Sequence, residues 1–393
     1  MTLRIGILTH STNPRGGVVH GMALAEALCD AGHDAMLIAP DVTGAGFFRR
    51  PRCATRCIAA MAGDDLPALV ERRIMEIRDA VREDANFDVL HAQDPISANA
   101  LADLVAEGRI PGFARTVHHL DHFPHRGVAA RQARGITSAS ELFTVSRVWE
   151  DTLLADYGRP APVVGNGVDL TRFFPGAGPR DHALRARYGL SRTARLVLSV
   201  GGIERRKNTL VLLRAFKELH REQPDLHFVI AGGASLLDHS DYRRLFDQEL
   251  QAGDLAGAVS VTGTIADDDM PALYRQSCVL AYPSRTEGFG LCPLEALACG
   301  IPVVVPAAPP FSEHFHTPEV VWCQPECPRT LGDALRAALS IESARRFRVS
   351  GPVTAARFDW RRVAGRHLRA YRRLAASQPA GRPVPRRVSL CPK

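Results

Sequence analysis

No apolar run in this 393-residue chain approaches the length that a bilayer-crossing helix needs. The opening Met1-Thr2-Leu3-Arg4 leads straight into an apolar strand, without the basic stretch, long apolar core and small-residue cleavage site of a secretory leader. A cytoplasmic protein, at most peripheral on the inner membrane face, is therefore the expectation. Cysteine is sparse and odd in number: nine residues scattered over so long a chain make no disulfide framework. Cys53-x3-Cys57 and Cys323-x3-Cys327 lack the partner knuckle of a zinc site, so reduced thiols are expected. Aromatic residues make up 6% and form no stacking motif for single-stranded nucleic acid. No complete G-x-G-x-x-G stands at a strand-to-helix turn, which argues against a nicotinamide-dependent dehydrogenase. An Asp-x-Asp element at a strand end is also missing; Asp267-Asp268-Asp269 reads as the cap and first-turn acids of a helix. The run His118-His119-x-x-His122-x-x-His125 reads as loop, without the helical phase that would align metal ligands, and no metal is expected.

What is present describes an ordinary soluble protein, 46% hydrophobic and 23% charged, at roughly twice the length of a single domain. The net charge of +7 favours polyanions of any kind: nucleic acid, an anionic membrane or a phosphorylated substrate. Much of that excess is arginine late in the chain, from Arg345, Arg346 and Arg348 to Arg372 and Arg373. A solvated helical face is the first reading of these residues, and peripheral contact with an anionic membrane is the second.

Periodicity gives the architecture. Leu3–Leu8 reads as a buried strand, Gly16-Gly17 opens a helix with Val18, Met22, Ala25 and Leu28 on one face, and Ala35–Ala39 is the next strand. Asp88–His91 and Ala114–His118 continue the pattern. After a Gly- and Pro-rich stretch at Phe173–Pro179, read as a linker, it restarts with strands Leu196–Val200 and Leu226–Ala231. The expected fold class is α/β: two Rossmann-like parallel-sheet domains facing a central cleft. The expected boundaries are 1–175 for the first domain, 176–358 for the second, 359–376 for a helix packing back on the first, and 377–393 for a flexible tail.

The most informative motif is Glu287-Gly-Phe-Gly-Leu-Cys-Pro-Leu-Glu295, between the apolar stretch Val279–Ser284 and a short helix stopping at Gly300. It places one carboxylate in a loop and the other in the first turn of a helix, around a Gly-Phe-Gly backbone that a ligand can approach closely. Anion binding at a helix N-terminus, combined with carboxylates that grip vicinal hydroxyls, is what a sugar diphosphate requires.

Five segments in order carry a resemblance to the family 4 glycosyltransferases: Pro14-Arg15-Gly16-Gly17, Thr116-Val117-His118, Asn166-Gly167-Val168-Asp169, Gly201–Asn208 and the Glu287–Glu295 run. The resemblance spans nearly the whole chain and implies the GT-B fold. It implies a retaining, metal-independent transfer of a sugar from a nucleoside diphosphate sugar (UDP or GDP), a co-substrate with no further cofactor, to a hydroxyl of an unknown acceptor. It assigns His118 to the donor sugar, Arg206 and Lys207 to the leaving diphosphate, Glu287 to sugar hydroxyls and Glu295 to the ribose. Backbone groups at Gly201, Phe289, Gly290 and Leu291 would face phosphates or sugar, those at Gly16 and Gly17 a diphosphate or the acceptor, and Thr262-Gly263 the base. Gly202 replaces the family's arginine, Asn208 its glycine, and Cys292 a frequent proline. Cys292 reads as a packed residue and no nucleophile. His91, Asp94, Arg126 and Arg131 are acceptor candidates by position alone. A sugar-nucleotide epimerase or a phosphorylase is the enzyme alternative, and a basic nucleic-acid-binding protein the non-enzyme one.

Overall fold

The computed structural model describes residues 1–63, 65–83, 86–233, 239–253, 255 and 257–377. It divides into two compact units: Met1–Asn166 together with the chain from Trp360 onward, and Gly167–Asp359.

The first unit is built on β1 (Arg4–Leu8), β2 (Asp34–Asp41), β3 (Ala54–Ala59), β4 (Val89–Ala92), β5 (Ala114–Val117) and β6 (Glu141–Thr144). They form one six-stranded sheet in the order β3-β2-β1-β4-β5-β6, and every pairing is parallel. Strand β1 lies between β2 and β4, with Ile5 opposite both Ala35 and Val89. Covered on both faces, it shows as an unbroken apolar run. Edge strand β3 alternates half-buried and exposed positions in Ala-Thr-Arg-Cys-Ile-Ala and carries too little apolar signal to be read from sequence. The Trp360–Ala376 helix buries Val363, Ala364, Ala370, Tyr371 and Leu374 in the same core as Met22, Leu24 and Leu28 of the Gly16–Asp30 helix.

The second unit repeats the plan with β7 (Arg195–Val200), β8 (Leu226–Ala231), β9 (Val259–Gly263), β10 (Ser277–Ala281), β11 (Val303–Pro306) and β12 (Val321–Cys323). Their order is β12-β11-β10-β7-β8-β9. Both sheets thus have the doubly wound arrangement, in which the first strand neighbours the second on one side and the fourth on the other.

The division differs from the one expected from composition, falling at Asn166/Gly167 instead of 175/176. The Gly- and Pro-rich stretch is no linker: Arg172 pairs with Asp267, and the Phe173 ring lies edge-on to Tyr274 at 6.0 Å. Glycine at 178 serves close packing, since a Cβ there would meet the Arg275 guanidinium at 2.0 Å. The expected tail lies outside the described residues from 378.

Candidate functional site

In a doubly wound sheet the loops leaving the first and fourth strands diverge, and ligands bind in the crevice outside their carboxyl ends. In the second unit those strands are β7 and β10, paired with Leu198 opposite Leu280. The loop after β7 carries Gly201–Asn208, and the loop after β10 carries Tyr282–Gly290. The sequence motifs therefore converge for a topological reason.

Between these loops lies a cluster of charges. Lys207 Nζ donates to Glu287 Oε1 at 2.7 Å and to the Tyr282 hydroxyl, whose ring it also faces at 4.4 Å. Arg206 Nη1 donates to the same Oε1 at 2.9 Å, and its Nη2 to Glu204 Oε1 at 3.2 Å. One carboxylate oxygen thus bridges two cations. Lys207 and Glu287 are each only 9% exposed, so their interaction is little screened. Burial and the Glu287 charge hold the Tyr282 phenol well above its ordinary pKa, keeping it protonated.

Glycines make room for this cluster. Gly201 has φ +134, and a Cβ on it would lie 2.9 Å from Lys207 Cε and 3.1 Å from Cδ. Asn208 adopts the left-handed conformation with φ 60, which asparagine tolerates better than most residues. Its amide donates to the Pro325 carbonyl at 2.6 Å, pinning the start of the Thr209–Glu222 helix.

The second carboxylate sits deeper than expected. The helix after Gly290 spans Leu291–Ala298, so Glu295 is in its second turn, not its first. Gly290 caps it with φ 101, and the amides of Leu291 and Cys292 have no acceptor within the helix. Glu295 Oε2 accepts from the Tyr274 hydroxyl at 2.7 Å. Burial pushes the Glu295 carboxyl up to about 7, against the Tyr274 bond, which lowers it. Cys292, pushed up to about 12 by burial, holds a protonated thiol. The Phe289 ring is core, 4.0 Å from the His314 ring, so only its backbone faces the loop.

A carboxyl raised in the folded state binds more protons folded than unfolded between the ordinary 4.5 and about 7. Its effect on stability is therefore most favourable below that window and worsens as pH rises through it. Glu295→Gln, which keeps the acceptor for Tyr274, should raise the melting temperature at neutral pH and change it little in acid. An equal shift at both pH values would show that Glu295 is not the group responsible.

Thr262 and Gly263 end β9, two strands from β7, and are not part of the charge cluster. Thr262 Oγ1 donates to the Gly263 carbonyl at 3.1 Å, and Gly263 turns the chain with φ 70.

In the first unit, the corresponding switch point lies at β1 and β4, followed by Gly16-Gly17 and by Gln93. Neither glycine is needed for a left-handed turn, since both are helical residues of Gly16–Asp30 outside the positive-φ set. Gly17 serves close approach: a Cβ there would stand 3.3 Å from the His118 ring and 3.4 Å from the Gln93 carbonyl. The helix ladder starts with Val19 N donating to Arg15 O, leaving the amides of Gly16 and Gly17 outside it. His118 Nε2 pairs with Gln93 Oε1 at 3.0 Å. Burial and the neighbouring His20 hold His118 well below its ordinary pKa. A neutral imidazole donating from Nε2 keeps Nδ1 as its acceptor.

His20 lies behind it, ring centroids 4.8 Å apart, with Nδ1 bonded to Asn166 Oδ1. Burial lowers its pKa to about 4. Asn166 therefore positions His20, whereas Asp169 organises a turn through Thr171. Gln93, Tyr274 and Tyr282 leave no mark in the sequence as site residues. Glu204 lies within the Gly201–Asn208 segment without a role of its own there, and His20 falls on the buried face of a helix one turn beyond Gly16.

Of the acceptor candidates, His91 is a correction. It is fully buried, with Nδ1 2.6 Å from the Tyr371 hydroxyl and Nε2 2.9 Å from Thr116 Oγ1, a tie between strand and terminal helix. Asp94 caps the Pro95–Ala106 helix, and Arg131 is held by Glu71 through bonds of 2.7 and 2.5 Å. Arg126 remains exposed at the start of its helix. The other loop histidines diverge: His119 faces Asp121 at 3.2 Å, and His125 caps the Arg126–Thr137 helix.

Two family models match, Glycosyltransferase Family 4 over residues 14–172 and Glycosyl transferases group 1 over 181–350. A D-inositol 3-phosphate glycosyltransferase of Salinispora arenicola is 39% identical over 158 residues, 37% of this chain but only 34% of that relative. A phosphatidyl-myo-inositol mannosyltransferase of Mycobacterium tuberculosis is 28% identical over 95% of this chain and 98% of its own. Among solved structures, Anabaena Alr3699/HepE in complex with UDP and glucose matches with a TM-score of 0.75 and 18% identity, covering 94% of this chain and 99% of that one.

Proposed function

From the premise that this chain belongs to Glycosyltransferase Family 4 and has the GT-B fold, we propose that it transfers a sugar from a nucleoside diphosphate sugar, UDP or GDP, to an acceptor hydroxyl. The observation that carries this reading is the Arg206–Lys207–Glu287 cluster at the switch point of the second sheet. Breaking the bond between the anomeric carbon and the diphosphate leaves charge on the β-phosphate. Two preorganised cations beside helix amides stabilise such charge without a metal.

Donor binding falls to the second unit. Lys207 and Arg206 meet the diphosphate, Glu287 the sugar hydroxyls, Glu295 the ribose, and the Thr262-Gly263 turn the base. A neutral His118, with Nδ1 as acceptor, suits a hydrogen bond from a sugar hydroxyl. Transfer proceeds with retention, by a front-face route. The acceptor oxygen forms the new bond to the anomeric carbon as the phosphate oxygen departs, and the acceptor proton passes to that phosphate oxygen. The family supplies the expectation of retention.

A thermal-shift screen with UDP, GDP, ADP and their sugars tests the reading. Nucleotide at a hundredfold excess over Kd should stabilise the protein by about 2.7 kcal/mol. UDP or GDP should raise the melting temperature, and a flat response to every nucleotide would overturn the proposal. Donor altered in the absence of any acceptor would instead point to an epimerase.

A further inference from the structure

The helix Ile341–Ala355 turns an unusual face to solvent. Its inner side buries Phe347, Gly351, Thr354 and Ala355, and a Cβ at Gly351 would lie 2.5 Å from the Leu297 carbonyl, so the helix is packed tightly on its neighbour. On the outer side, Ile341, Val349 and Val353 are 73%, 73% and 70% exposed. At 100° per residue the three fall within an arc of about 120° and span about 18 Å along the axis. Aliphatic surface aligned in this way marks an interaction site more often than scattered exposure does.

Arg345, Arg346 and Arg348 are exposed on the same helix. None of the three joins an ion pair among the described residues, whereas surface arginines elsewhere in this unit do: Arg243 meets Asp247 at 2.9 Å and Arg336 meets Glu222 at 2.7 Å. The helix holds one acid, Glu342.

We propose that this face docks on an anionic lipid surface, with Ile341, Val349 and Val353 entering the acyl boundary and Arg345, Arg346 and Arg348 meeting lipid phosphates. Charge selects this occupant. A second copy would bring three guanidinium groups against three others with only Glu342 to offset them, and a nucleic acid would gain nothing from an aliphatic stripe. Long arginine stems can lie along the apolar surface while their heads reach phosphate. The inference stands apart from the transfer reaction, and its test uses no donor.

The full chain is sedimented with phosphatidylcholine vesicles, with and without an equal part of phosphatidylglycerol, at low and high salt. Binding is expected to the anionic vesicles only, and to weaken with salt. Arg345→Gln/Arg346→Gln/Arg348→Gln should weaken it roughly a hundredfold, at about fivefold per arginine. Val349→Asp/Val353→Asp should weaken it at least about tenfold, while Arg243→Gln should leave it unchanged. These positions are exposed, and unchanged melting temperatures would exclude misfolding. Absence of binding by the parent, or equal binding by the variants, overturns the proposal. A parent dimer that the valine variant dissolves also overturns it, assigning the face to a second copy.

Discussion

Lys207→Ala is expected to raise the barrier to transfer by about 2 to 4 kcal/mol, a loss of roughly a hundredfold in turnover. The ammonium is fixed before any ligand arrives: Glu287 Oε1 lies 2.7 Å away, and the Tyr282 ring stands 4.4 Å from it. Alanine removes that charge and leaves Arg206 beside Glu287 at 2.9 Å. Breaking a buried pair destabilises by about 3 to 5 kcal/mol when the surviving charge has no partner. Arg206 keeps this case toward or below the lower end. Assays well below the melting temperature of the variant therefore separate lost catalysis from lost fold. Near-normal turnover there would remove Lys207 from the reaction.

Gly232→Ala is expected to destabilise the second unit by about 3 kcal/mol and to weaken nucleotide binding at the same time. A Cβ at Gly232 would lie 2.4 Å from the Gly201 carbonyl carbon, 2.5 Å from its oxygen and 2.8 Å from its Cα. Those atoms are backbone and cannot rotate aside. Gly201 would have to move, and it already leaves no spare room for Lys207, whose Cε is 2.9 Å from the position of a Cβ there. A clash at the end of β8 is thus relayed through the end of β7 to the cation. The melting temperature should fall by roughly 6 to 12 °C for a unit of this size. An unchanged melting temperature would show that the loops can separate at no cost.

Much of the second unit's candidate site was legible because its residues are close in sequence. Arg206 and Lys207 are adjacent, and Glu287 and Glu295 flank a Gly-Phe-Gly segment that leads into a short helix. What escaped detection depends on partners distant in sequence. Tyr274 and Tyr282 are ordinary aromatics until folding places them against Glu295 and Lys207. Gln93 carries no signal of its own, yet it sets the orientation of His118 from 25 residues away. His91 shows the opposite error, because a histidine at a strand end looks available for binding until Tyr371, 280 residues on, occupies it. Glycine and proline at 173–179 similarly suggested a flexible joint, where the Phe173 ring instead packs on Tyr274 and the neighbouring Arg172 pairs with Asp267.

By itself the sequence determined the two parallel sheets and the family, since buried strands and glycine-rich loops leave marks that depend only on neighbouring residues. Tertiary structure alone decided the electrostatic state of the candidate site: that one oxygen of Glu287 holds both cations, that burial pushes the Glu295 carboxyl up to about 7, and that Asn166 serves His20. Charge interactions and desolvation act through space, and the distances that set them exist only once β7 and β10 lie side by side.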